Sequence, residues 1–92
     1  MALYIITVEW RQGEISDKSS LDTLISSSFK NQKLTNVSYL VESSNTAVDI
    51  RNFVVNSIPS VDRVFVGEMA TSAAWRNMQS SSTDIKLMYE NE

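Results

Sequence analysis

Near the start of the chain Tyr4, Ile6, Val8 and Trp10 alternate with Leu3, Ile5, Thr7 and Glu9, and both sets are largely apolar. A run rich in β-branched and aromatic residues, apolar on both faces, predicts a central strand. Residues 11–14, which include Gly13, read as the connecting loop. A helix start follows. Ser16 is placed to cap, Asp17 to complement the positive helix end, and Ile15 to act as a hydrophobic staple. Leu21, Leu24, Ile25 and Phe29 then recur at helical spacing, which predicts a helix over residues 17–30 with one apolar stripe against the sheet.

Residues 31–36 are polar and turn-prone except for Leu34, which opens at most a short irregular strand. Val37, Tyr39 and Val41 alternate with Ser38, Leu40 and Glu42, predicting a second clear strand. Ser43, Ser44, Asn45 and Thr46 offer N-caps for a second amphipathic helix carrying Ala47, Ile50, Phe53, Val54 and Ile58. Pro59 stops it, because proline disfavours the helical conformation of the residue before it. A third strong strand centres on Val64, Phe65 and Val66. Residues 70–78 read as a short helical turn carrying Trp75, and the serine-rich residues 79–83 as a flexible link. Ile85, Leu87 and Tyr89 alternate with Lys86, Met88 and Glu90, the pattern of a late edge strand, paired at home or offered to a partner.

The order β-α-β-β-α-β with a final extra strand predicts an α+β fold. It is a ferredoxin-like split βαβ sandwich, with an antiparallel sheet of four to five strands and two helices on one face. Ninety-two residues are the size of one domain, here residues 1–92.

Composition narrows the chemistry. The absence of cysteine removes disulfides and thiolate metal sites, and the absence of histidine removes the commonest general base and neutral metal ligand. Serine nucleophiles such as Ser26, Ser27 and Ser28 therefore have no histidine to activate them. No charged, long apolar leader and no run of about 18 apolar residues is present, so neither a membrane span nor a cleaved signal is expected. The default location is the cytoplasm. A net charge of −3 with scattered cations argues against high-affinity binding of free nucleic acid. Gly67 alone makes no phosphate-cradling loop, so no nucleotide cofactor is expected.

Carboxylates are what remains. Glu9 closes an apolar strand where a side chain reaches solvent or a ligand, and Glu14, Asp17, Asp22 and Glu68 are the other acids weighed with it. Asp17 and Asp22 also fit helix-start and solvated-face roles without any metal. Trp10 and Trp75 combine large contact area with a polar N–H, as interface anchors do. Trp10 is expected partly exposed, with Arg11 beside it and Tyr4 or Tyr39 nearby, as a docking patch for protein or an RNA backbone. Trp75 is expected packed under the last turn.

Three stretches together resemble a known family: Ala2-Leu3-Tyr4-Ile5-Ile6-Thr7-Val8-Glu9-Trp10; Ser38-Tyr39-Leu40-Val41-Glu42-Ser43 leading into Ala47-Val48-Asp49-Ile50-Arg51; and Val61-Asp62-Arg63-Val64-Phe65-Val66-Gly67-Glu68 with Trp75. They look like SinR-like proteins, small ferredoxin-like relatives of the smaller CRISPR spacer-acquisition protein. The resemblance implies homodimers, in some cases with the last strand laid on the partner's sheet. It also implies, for several members, a Mg²⁺-dependent nuclease using an aspartate at the end of the first strand. Glu9 stands at that position, with one more methylene and one more rotatable bond than aspartate, and Mg²⁺ tolerates little misplacement of its ligands.

Two functions follow as expectations. The first is a non-catalytic inhibitor without cofactor, of the phage anti-CRISPR type, acting in the bacterial host cytoplasm. It docks on an RNA-guided effector complex, guide RNA included, through Glu9, Trp10, Arg11, Glu14, Trp75 and Arg76. The second is a metal-dependent or degenerate nuclease homodimer in which Glu9 of each protomer binds Mg²⁺.

Overall fold

The computed structural model describes residues 1–10, 18–69 and 73–90. Its elements run β1 (Ala2–Trp10), α1 (Lys18–Ser28), β2 (Lys30–Thr35), β3 (Ser38–Ser43), α2 (Ala47–Ser57), β4 (Val61–Glu68) and α3 (Ser82–Glu90). The strands form one four-stranded sheet in the order β2-β3-β1-β4, with every neighbouring pair antiparallel. This is the ferredoxin-like α+β arrangement, and β1 lies inside the sheet as its two apolar faces require.

Strand alternation divides β1 between two cores. Tyr4, Ile6 and Val8 pack with Tyr39 and Val41 under Leu21 and Ile25 of α1 and Ile50 and Val54 of α2. Leu3 faces the other way and packs with Leu40 against Ile85 and Met88 of α3. Two helices therefore cover one face of the sheet, and a third covers part of the other. Thr46 caps α2 by accepting a hydrogen bond from the Asp49 N–H at 3.1 Å, and the helix ends at Ile58 before Pro59.

The structure corrects four expectations. The late edge strand at Ile85 to Tyr89 is helical. Ser81 Oγ accepts from the Asp84 N–H at 3.1 Å, so a serine cap with an acid three residues on starts α3, and Ile85 and Met88 face the sheet at helical spacing. The serine-rich segment before it is no free link, since the Gln79 and Ser80 N–H groups each donate at 3.0 Å to Leu34 and Lys33 of β2. The polar stretch after α1 is a full strand, β2, with one irregularity between Lys33 and Thr35. An edge strand needs few apolar side chains, and Leu34 supplies the one that packs under α3. Of the expected helical turn at 70–78, the described residues 73–78 are irregular, with Asn77 at a φ of 55°. The proposed cap and staple at 15–17 lie outside the described residues.

Candidate protein-binding surface

The odd positions of β1 face away from α1 and α2, and α3 covers only their first half. Leu3 is buried and Ile5 half-buried, whereas Thr7 and Glu9 are exposed. Pairing with β4 sets Thr7 opposite Phe65 and Glu9 opposite Arg63 on this same face. Side chains directly opposite in antiparallel strands interact. The Arg63 guanidinium donates to the Glu9 carboxylate across the strands. Both side chains stand mostly in solvent, so the pair contributes only about 0–1 kcal/mol to stability. What it fixes is geometry, a charged pair linking β1 to β4 at the end of the sheet.

Phe65 is the apolar centre of this uncovered half, 66% exposed on a strand whose valines are at least half-buried. Its ring leans along the strand over Gly67, so closely that a Cβ there would meet it at 2.8 Å. Glycine leaves the space the ring occupies. The patch is thus an exposed aromatic residue on a strand with an arginine two positions away, two residue types enriched at interfaces, flanked by Thr7 and Glu9.

The residues singled out from sequence do not converge. Glu9 belongs to the patch. Trp10, one position on, points to the opposite face and packs against the main core, half-buried, with its Nε1 lacking a partner among the described residues. Tyr4 and Tyr39 are buried core residues and form no part of an exposed patch. Trp75 lies on the same side of the sheet as Glu9, yet over the covered half, against the α3 cluster, with its Nε1 donating to Ser82 Oγ at 3.3 Å. Arg76 beside it is exposed. Arg11 and Glu14 lie outside the described residues. Phe65, Thr7 and Arg63 were not singled out. Their signal was present in β1, whose odd positions change from apolar to polar midway, marking where cover on that face ends.

Asp22 on α1 accepts from the Tyr39 hydroxyl, and its second oxygen binds Lys33 Nζ at 3.0 Å, tying α1 to the β2–β3 hairpin. Burial, then the hydrogen bond and negative charge of Asp22, push the Tyr39 phenol well above its usual pKa. Such a tyrosine holds its proton and serves as a tether. Between the sheet and the α3 layer lies a pocket of about 320 Å³, partly open to solvent, lined by Ile5, Leu34, Leu40, Met69, Trp75 and Met78, among others.

Among the described residues no three acidic side chains gather as a metal-binding group, and no helix is long and apolar enough to cross a membrane. No family model, no curated protein and no solved structure matches the chain.

Proposed function

We propose that the chain is a non-catalytic protein-binding inhibitor, most concretely a phage protein of the anti-CRISPR type that docks on an RNA-guided effector complex and blocks its target nucleic acid. The observation that supports this reading best is the uncovered half of the sheet, where exposed Phe65 sits beside Thr7 and the Glu9–Arg63 pair. A folded domain that leaves an aromatic residue standing on a flat sheet has a surface suited to another protein. The net charge of −3 adds to it, because an acidic chain is drawn to basic channels that otherwise hold nucleic acid. Resemblance to the SinR-like proteins supplies the link to CRISPR systems, and the engagement of Glu9 by Arg63 favours a surface role for that carboxylate over metal binding.

The test is a pull-down from a CRISPR-bearing bacterial host with the natural chain and with Thr7→Arg, which puts a bulky cation on the uncovered face without touching either core. Effector subunits are expected with the natural chain and depleted at least tenfold with the variant. Recovery of no effector subunits at adequate expression overturns the reading. So does Mg²⁺-dependent cleavage of nucleic acid that is lost in Glu9→Ala, which would instead assign the chain to the nucleases.

A further inference from the structure

The smaller layer holds a pocket that the docking surface around Phe65 does not use. Strand alternation puts Ile5 of β1, Leu40 of β3 and Leu34 of β2 on the α3 side of the sheet, where they form one wall. Ile85 of α3, with Trp75 and Met78 of the irregular segment before it, forms the other, and Met69 stands just beyond the end of β4. Leu40 and Ile85 are buried and make the floor, whereas the exposed Ala73 and Ala74 line the mouth.

Hydrogen bonds hold these walls in place. The Met69 N–H donates to the Leu3 carbonyl at 2.8 Å, and the Gln79 and Ser80 N–H groups donate to Leu34 and Lys33. Between them Trp75 Nε1 donates to Ser82 Oγ at 3.3 Å, which ties the indole to the start of α3. A space framed by bonded groups is largely preformed, as ligand sites are.

The lining then selects what fits. None of the lining residues carries a charge, and the one polar side-chain atom among them, Trp75 Nε1, is taken by Ser82. An ionised group carried inside would lose its water and gain no partner. What the walls offer instead is one indole and the two thioethers of Met69 and Met78. Aromatic and sulfur groups both make contacts with an aromatic ring that exceed simple burial. Size sets the rest, since about 320 Å³ is roughly twice the ~150 Å³ of an apolar cavity that takes up one benzene ring.

We propose that this pocket binds an uncharged, planar aromatic molecule of about two fused rings, held between Trp75 and Met78 on one side and Ile5, Leu34 and Leu40 on the other. The site is separate from the surface around Phe65 and does not depend on the effector partner proposed above.

The probe is naphthalene, titrated into the natural chain and followed by methyl NMR. A ligand of this size in apolar contact supports a Kd on the order of 100 μM. Saturable shifts are expected at the methyl groups of Ile5, Leu34, Leu40, Met69, Met78 and Ile85, while those of Ile25, Ile50 and Val54 in the main core stay in place. Benzene should bind at least fivefold more weakly. A naphthalene carrying a sulfonate at each end should not bind, because one anion must be buried whichever way it enters. Ala73→Phe and Ala74→Phe, at exposed positions of the mouth, should each weaken naphthalene at least tenfold and leave the melting curve in place. The absence of saturable shifts up to the solubility of naphthalene overturns the proposal, as do shifts of equal size in the main core. Benzene or the disulfonate binding as tightly as naphthalene overturns it too, as does undiminished binding by both alanine variants.

Discussion

Tyr39 shows how one side chain can join chemistry to packing. It is buried in the main core, while its hydroxyl donates to Asp22, which in turn binds Lys33. The fold favours the neutral phenol, so its pKa is raised in the folded state relative to the unfolded chain. The stabilisation that follows is fully present below the ordinary tyrosine value of about 10 and is lost as pH climbs beyond it. Tyr39→Phe is expected to lower stability by about 1–2 kcal/mol at neutral pH, from the lost hydrogen bond. It should also flatten the alkaline fall in melting temperature, measured by circular dichroism from pH 7 to pH 11. An unchanged alkaline slope would show that the fold does not hold the proton on Tyr39. Of this trio the sequence disclosed only that Tyr39 lies on a strand and that Asp22 fits a solvated helix face. Residues 17 positions apart meet only once α1 is laid across the hairpin.

Among the elements, those with a strong and sufficiently long pattern were legible. β1, β3, α2 and β4 follow their alternation or helical stripe, because many apolar positions vote for one period. The late segment was misread for a physical reason. Over nine residues, Ile85, Leu87 and Tyr89 satisfy a period of two while Ile85 and Met88 satisfy a helical turn, and the pattern alone cannot choose. The serine cap at Ser81 decides it, and Gln79 and Ser80, just before it, already occupy the β2 edge. Truncation separates the two geometries. In α3 Ile85 is 3% and Met88 2% exposed, against 54% for Leu87. Ile85→Ala and Met88→Ala should each cost about 2–4 kcal/mol in urea unfolding, and Leu87→Ala about 0.5 kcal/mol or less. Equal losses at Ile85 and Leu87 would restore the strand. β2 was obscured by the opposite effect, a polar edge strand whose identity comes from its partner β3 rather than from its own side chains.

In the whole molecule the sheet has one face fully covered and one half covered, and that asymmetry organises everything proposed for it. The candidate surface was only partly legible in the sequence: Glu9 was found because it ends an apolar run, whereas Phe65 was hidden among core-like valines until pairing with Thr7 set it on the open face. The covered half has its own consequence. The pocket of about 320 Å³ under Trp75 and Met78 is partly open to solvent, so the α3 layer sits less tightly on Ile5, Leu34 and Leu40 than α1 and α2 sit on the main core. Hydrostatic pressure favours whichever state has the smaller volume, so compression should act on this layer first. In a Trp10→Phe variant, where Trp75 is the remaining tryptophan, fluorescence should shift to the red at a pressure below that which collapses the far-ultraviolet signature of the sheet. A single coincident transition would mean that the two layers yield as one. If they separate, pressure becomes a means of lifting the α3 layer off Leu3, Ile5 and Leu40 while the four strands stay paired, uncovering the rest of the face on which Phe65 stands.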